Sequence, residues 1–276
     1  MNIHIEELKT KGYVSMAYPT DMRLAVEKTI GSWKKFCDLP NKVKTSLPYS
    51  NNADGVGYEL KEGVGNKADK KENFDVTING QKWLQKNLKE IDNKTALDFV
   101  KDVTSLVQII KPTILNFASQ SEKAFGLENF SKEVEESEGT FFIRFIHYFG
   151  DRNLGEETAS AHVDQSGFSL HLFESAPGLE YLSYDGKWLD MPVSSGETVI
   201  IPSMQMQLRS ENKLKALCHR VVATSETSKQ GRYSAVCFVQ FKNTKKYDKS
   251  TNGRLQERVP GFNYEMSIED FSKLFK

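Results

Sequence analysis

The chain changes texture at Gly126, and the stretch beyond it most limits what the chain can fold into. TFFIRFIHYF, SGFSLHLFE, GLEYLSYDGKWLDM, ETVIIPS, KALCHRVVAT and RYSAVCFVQF are short β-rich runs separated by Gly, Asp, Asn and Ser turn signals. Six such runs within about 110 residues predict a β-sandwich or jelly roll with helices packed outside it. Ahead of Gly126 two helical patterns stand out. TDMRLAVEKTIGSWKKFCDLP sets Leu24, Ala25, Ile30, Trp33 and Phe36 at helical spacing, opens on Thr20-Asp21 and closes before Pro40. The second runs from Lys94 to Phe125 with Leu97, Val100, Val103, Leu106, Ile110, Leu115 and Phe117, and Pro112 is expected to kink or interrupt it. Amphipathic helices need a surface to cover. The expectation is therefore a single domain over 1–276, α+β with a mainly β core, in which a helix-rich 1–125 packs on a β core of 126–276.

Composition narrows the partners. Lys+Arg and Asp+Glu both number 37, so the formal net charge is zero, which argues against DNA or a membrane surface as the main partner. Three cysteines without a CxxC pair suit a reducing compartment better than a disulfide framework. The opening MNIHIEELKTKGY lacks a signal-peptide layout, and no apolar run approaches the ~20 residues of a membrane helix. The basic stretch FKNTKKYDKS is most simply a solvated tail. These features predict a cytoplasmic protein that is monomeric or weakly homo-oligomeric.

Chemistry concentrates in SAHVDQSGFS. Residues i and i+2 on a strand share a face, so His162 and Asp164 can converge on one point. His219, in LCHRVVA, supplies a second imidazole. Two histidines and a carboxylate form the facial set of non-haem Fe(II) oxygenases, although zinc accepts the same ligands. RYS then places Arg232 and Ser234 on one face of the following strand. If that strand paired antiparallel with the His219 strand, Arg232 opposite Ala223, then His219, Ala223, Arg232 and Ser234 would face the same way. The offset from His219 to Arg232 would be about 13 Å at the strand rise. That gap suits a short dicarboxylate that chelates a metal at one end and meets a guanidinium at the other.

HVD, the His219 of CHRV and RYS match the HxD…H…RxS signature, and the chain resembles the iron- and 2-oxoglutarate-dependent oxygenases. The branch it is most similar to is that of isopenicillin N synthase and the plant iron/ascorbate oxidoreductases. GYV at 12–14, FCDLP at 36–40, VGY at 56–58, DKKENF at 69–74, IRFIHY at 143–148 and APGLEY…DGKW at 177–188 fall in that family's order. The resemblance implies a double-stranded β-helix (jelly roll) with flanking N-terminal helices, holding Fe(II) through His162, Asp164 and His219. It implies 2-oxoglutarate as cosubstrate, its far carboxylate on Arg232 and Ser234 with Tyr148 as a further contact, and ascorbate as a reductant. The implied reaction couples O₂ and 2-oxoglutarate to oxidation of a small-molecule substrate, with succinate and CO₂ released. Halogenating relatives replace the carboxylate ligand with a small residue, so retaining Asp164 favours hydroxylation, desaturation or ring closure.

The chain departs from the family at Ile146-His147-Tyr148-Phe149, where plant-type members read Asn-Tyr-Tyr-Pro. It departs again at Ile201-Pro202-Ser203-Met204, in place of Asn-x-Gly-Asp, and at His171, where leucine is usual. Two other readings stand beside the oxygenase. One is a same-fold iron oxidase that spends Arg232 and Ser234 on a substrate carboxylate; the other is a non-catalytic jelly-roll binding protein. His171 and His147 read as core or rim histidines with a substrate role as the alternative, and Arg144 as a salt bridge beneath the barrel or a pocket residue. Tyr58 and Phe74 read as aromatic packing first and pocket wall second. Cys218, on the opposite face from His219, reads as packing.

Overall fold

Two antiparallel sheets lie face to face, and the helices cover only one of them. The computed structural model describes residues 3–50, 55–61, 70–88, 93–194, 196–242 and 261. Its strands are β1 (Val14–Ala17), β2 (Gly57–Lys61), β3 (Lys71–Thr77), β4 (Phe142–Tyr148), β5 (Glu157–His162), β6 (Phe168–Glu174), β7 (Leu179–Leu182), β8 (Trp188–Asp190), β9 (Glu197–Pro202), β10 (His219–Val222) and β11 (Arg232–Val239). The helices are α1 (Glu7–Thr10), α2 (Thr20–Cys37), α3 (Asn41–Lys44), α4 (Gln81–Leu88), α5 (Lys94–Phe125), α6 (Phe130–Glu136), α7 (Met204–Arg209) and α8 (Thr227–Gln230). The large sheet runs β1-β9-β6-β11-β4-β3-β2 and the small one β5-β10-β7-β8. From β4 onward the chain crosses repeatedly between them, with β4, β6, β9 and β11 in the large sheet and β5, β7, β8 and β10 in the small. This is the double-stranded β-helix, or jelly roll, with flanking helices.

Alternation along each strand divides the large sheet into two faces. Phe74, Ile143, Phe145, Phe168, Leu170, Ala235 and Cys237 face outward, in one continuous apolar cluster with Trp33 and Phe36 of α2, Phe99 of α5 and Phe130 of α6. Aromatic rings join the layers: Trp33 lies 6.2 Å from Phe145 and Phe99 lies 5.4 Å from Phe145. Ile146, Tyr148, Val199 and Ile201 face inward and meet Ala159, Leu179, Tyr181 and Val221 of the small sheet. The space between the sheets is therefore a second, smaller core, and it carries the polar residues of interest.

Both expected helices form. On α2 the buried stripe is Met22, Val26, Ile30, Trp33 and Phe36, while Leu24, expected on that stripe, is 55% exposed. Pro112 does not interrupt α5, which runs unbroken over Lys94–Phe125. Its fixed φ is compatible with a helix, and the buried stripe of Val103, Leu106, Val107, Ile110, Ile114 and Phe117 outweighs the roughly 3 kcal/mol cost of an interior proline. Asn93 caps the start by accepting from the Ala96 N–H at 3.1 Å, and left-handed Gly126 (φ 62°) closes the end.

The unexpected strands are β1, β2 and β3, together with the part of β5 ahead of His162. β3 is buried at every position although it carries Lys71, Glu72, Asn73 and Asp75, so an apolar run could not reveal it. These polar groups are paired. Glu72 accepts from Lys44 Nζ and Tyr58 Oη, each at 2.7 Å, and lies 2.8 Å from His147 Nδ1. Burial would raise its pKa, but the hydrogen bonds from His147, Lys44 and Tyr58 win and hold it at about 2. On the inner face, Arg144 forks onto Asp75 at 2.8 and 2.6 Å. No helix among the described residues is long and apolar enough to cross a membrane, and all three cysteines are free. The basic stretch beyond Lys242 lies outside the described residues.

Replacing Glu72 by Gln would leave Lys44 a buried, uncompensated cation. Denaturant unfolding at neutral pH should show a loss of about 3–5 kcal/mol. Because the folded carboxyl titrates near 2 rather than 4.5, wild type should lose this advantage as pH falls from about 4.5 toward 2, narrowing its gap to Glu72→Gln.

Candidate metal centre

β10 lies between β5 and β7, and its register places His219 directly across from both His162 and Tyr181. His162 is the last residue of β5, and Asp164 follows it off the strand end rather than from a second strand position. The two imidazole rings are 4.4 Å apart. Asp164 Oδ1 lies 3.6 Å from His162 Nε2 and 3.9 Å from His219 Nε2, and one ligand atom from each of the three residues falls within 4.8 Å of the others. Donor atoms about 2.0–2.2 Å from a shared ion sit roughly 3–4 Å apart, so the cluster has the right size for one metal.

Each donor is oriented by a second contact. His162 Nδ1 donates to the Ser160 carbonyl at 2.7 Å and His219 Nδ1 to the Leu217 carbonyl at 3.2 Å, so both Nε2 lone pairs are left for a metal. Asp164 Oδ2 accepts from the Ser169 hydroxyl at 2.5 Å. Ser169 in turn lies 3.3 Å from Ser203, which is 3.3 Å from Ser166, and the Met204 N–H donates to the Asp164 carbonyl. The departure at Ser203 thus touches the hydroxyl that supports the carboxylate, and Met204 reaches Asp164 only through the backbone. Burial would raise the Asp164 pKa, but His219, His162 and the Ser169 hydroxyl more than offset it and hold it low. Burial pushes His219 down to about 4, with His162 adding to the shift, which keeps this imidazole neutral and able to ligate near pH 7.

Arg232 and Ser234 do not reach this centre in the way the strand-pairing argument requires. β10 and β11 are not partners: β10 pairs with β5 and β7, and β11 with β4 and β6 in the opposite sheet. The segment between them carries α8 and crosses from one sheet to the other, so Arg232 never sits opposite Ala223. It pairs with Tyr148 instead. Gly231, in the left-handed region at φ 76°, makes the entry to β11, where a Cβ would lie 2.4 Å from the Tyr148 carbonyl oxygen. Arg232 (2% exposed), Ser234 and Tyr148 are all buried, and Tyr148 lies in the inter-sheet core.

A contact chain links the two halves. The His171 ring lies 6.0 Å from that of His219, and His171 Nδ1 is 3.1 Å from Glu174 Oε1. Glu174 Oε1 also accepts from the Ser234 hydroxyl at 3.1 Å, and Glu174 Oε2 lies 2.6 Å from Arg232 Nη2. Glu174 is the site residue that sequence reasoning missed, because alternation from Ser169 and His171 points residue 173 inward instead. A β-bulge shifts the register here: Val236 pairs with His171 and Ala235 with Phe173, so Leu172 is extra and Glu174 meets Ser234. Of the other residues weighed from sequence, Tyr58 and Phe74 belong to the outer core. His147 turns to Glu72 and stacks on Tyr233 at 4.2 Å. A second cluster, Cys37, Glu72 and His147, also brings ligand atoms within 4.8 Å. The ammonium of Lys44 already occupies its glutamate, and burial pushes the Cys37 thiol well above the usual range.

The 2OG-Fe(II) oxygenase superfamily matches residues 137–241. A 2-oxoglutarate-dependent dioxygenase of Didymella fabae is 27% identical over 244 residues, covering 78% of this chain and 71% of that protein. The 1-aminocyclopropane-1-carboxylate oxidase homolog 3 of Arabidopsis thaliana is also 27% identical, over 214 residues and 74% of this chain, which spans little more than half, 54%, of that relative. Among solved structures, a full-length Neurospora crassa protein in complex with alpha-KG superposes with a TM-score of 0.71 at 18% identity, over 90% of this chain and 83% of that one, a likeness of fold. The matched residues 137–241, over a third of the chain, contain the His–Asp–His cluster, Arg232, Ser234 and Tyr148 alike, so the likeness to the 2OG-Fe(II) oxygenase superfamily falls on the candidate site itself.

Proposed function

We propose that this protein is an Fe(II)- and 2-oxoglutarate-dependent dioxygenase that hydroxylates, desaturates or cyclises a small organic molecule. The observation that carries the reading is the convergence of His162 Nε2, His219 Nε2 and Asp164 Oδ1 on one point at the edge of the inter-sheet space, with a buried arginine on the facing sheet. His162, Asp164 and His219 would hold the metal, a facial two-histidine, one-carboxylate set of the kind that suits Fe(II) in O₂ chemistry. Arg232 and Ser234 would hold the far carboxylate of the cosubstrate, with Tyr148 beside it in the inter-sheet core. The fit of Arg232 rests on its own hydrogen bonds. Nε donates to the Ala176 carbonyl at 3.0 Å and Nη2 forms an ion pair with Glu174 Oε2 at 2.6 Å, which leaves Nη1 without an acceptor among the described residues. Buried guanidinium donors without acceptors are costly unless a ligand completes them. When bound, Fe(II) and 2-oxoglutarate together supply the activation of O₂, with loss of succinate and CO₂.

The chain's own groups position and protect this chemistry. Ser169 and the backbone of Met204 fix Asp164, and the Ser160 and Leu217 carbonyls fix the imidazole tautomers. Val199, Ile201, Tyr181 and Val221 make the inter-sheet core beside the cluster apolar. One continuous apolar cluster joins α2 and α5 to the large sheet, which supports treating 1–125 and 126–276 as one domain.

Anaerobic titration of 2-oxoglutarate into the Fe(II) protein should produce a weak visible charge-transfer band, and aeration should release succinate. Protein that binds Fe(II) but yields neither signal refutes the reading. His219→Ala should lower Fe(II) affinity at least about tenfold, measured by equilibrium dialysis, while the melting temperature of the metal-free protein changes little. Arg232→Gln should keep Fe(II) binding and weaken 2-oxoglutarate binding about tenfold to a hundredfold, since one charge-assisted pair is lost.

A further inference from the structure

Glu174 holds the place that an incoming carboxylate would need. Its two oxygens touch three groups of the inter-sheet space: Oε1 accepts from Ser234 Oγ and His171 Nδ1, both at 3.1 Å, and Oε2 lies 2.6 Å from Arg232 Nη2. The side chains of His171, Glu174 and Arg232 are all at most 4% exposed, so this is a buried ion pair. It is also incomplete. Glu174 Oε2 and Arg232 Nη2 meet only each other, while His171 Nε2 and Arg232 Nη1 lack a hydrogen-bond partner among the described residues. A buried pair with open donors beside it is an unfinished network, and a ligand able to complete it gains from doing so.

Its placement depends on the bulge in β6. The extra residue, Leu172, lets Phe173 stay on the outer core and turns Glu174 inward, opposite Ser234. The result is a negative charge on the arginine that is meant to attract a dicarboxylate, so the Arg232–Glu174 pair is neutral in sum. A second carboxylate could join the same guanidinium only beside the first, at the cost of like-charge repulsion in a low-dielectric chamber.

We propose that Glu174 is the resident occupant of the Arg232–Ser234 subsite, and that a 2-oxo dicarboxylate binds there by displacing the glutamate side chain. This rests on the dioxygenase reading. It makes Glu174 the residue that sets cosubstrate affinity: the subsite is closed by the protein itself until a 2-oxo acid that also chelates the metal out-competes it. Only the far carboxylate meets Glu174, so the competition acts on 2-oxoglutarate and not on 2-oxo acids with a neutral tail.

The test compares wild type with Glu174→Gln, which keeps side-chain volume and an acceptor for Ser234 while removing the charge. Binding of 2-oxoglutarate and of 2-oxobutyrate, which has no far carboxylate, is measured anaerobically by calorimetry on Mn(II)-loaded protein. Glu174→Gln should bind 2-oxoglutarate about tenfold more tightly and 2-oxobutyrate as wild type does, because a charged competitor is replaced by a neutral one. Unchanged or weaker 2-oxoglutarate binding would show that Glu174 supports Arg232 rather than competing for it, and equal tightening for both acids would show a general disturbance; each overturns the proposal and leaves the dioxygenase reading standing. Failure of 2-oxoglutarate to bind either Mn(II)-loaded protein overturns both. A wild-type crystal structure with Mn(II) and 2-oxoglutarate gives a check independent of any variant: the Glu174 carboxylate should have left Arg232, and finding it still within hydrogen-bond distance of Nη2 refutes displacement.

Discussion

The antiparallel register of β10 against β5 is the constraint on which the centre depends. It sets His219 across from His162, and a slip of one residue would turn one imidazole to the outside of the sheet. The small sheet has only short strands with which to hold that register. Arg220, the residue after His219, faces out and ties β10 to both neighbours, at 2.7 Å to Glu180 on β7 and 3.1 Å to Glu157 on β5, with its guanidinium 4.2 Å from the Trp188 ring centroid. The inward histidine and outward arginine thus divide the work along two successive residues: one belongs to the candidate metal cluster and the other fixes its register.

The interior of this jelly roll is more charged than its apolar strands suggest. Glu72 with Lys44, Asp75 with the half-buried Arg144, and Glu174 with Arg232 are three pairs in or beside the large sheet, the first and last of them buried. The first two are closed networks. Glu72 accepts from both Lys44 and Tyr58 and meets His147, and Arg144 forks onto Asp75 with two hydrogen bonds. The third closes at Nη2 on Glu174 but leaves Arg232 Nη1 without an acceptor among the described residues. Structural pairs satisfy themselves because a half-satisfied buried charge costs on the order of several kcal/mol. A pair left unsatisfied beside a metal-sized cluster is where a ligand would complete the network.

Several expectations from sequence met the structure for physical reasons that differ from those first given. His162 and Asp164 do converge, yet through a chain that leaves the strand after His162, not through i, i+2 alternation within it. Arg232 does face the inter-sheet space, yet from the opposite sheet, because successive strands of a jelly roll cross over rather than pair. Hairpin logic is local, and the nine residues 223–231 with a helical turn among them are long enough to escape it. Arg144 was legible as an ion pair, whereas β3 was hidden by its own buried polar residues.

By itself the sequence determined the element types with strong periodicity, α2, α5 and the strands rich in β-branched and aromatic residues, because local pattern and burial agree there. It also picked out the three residues of the candidate metal cluster, which the fold does bring together, because their identities and order are a one-dimensional signal. Only the tertiary structure decided which sheet each strand joins, which face of α2 is buried and which carboxylate meets Arg232. Those depend on long-range pairing and on one inserted residue in β6, and a bulge leaves no mark in a pattern whose period it interrupts.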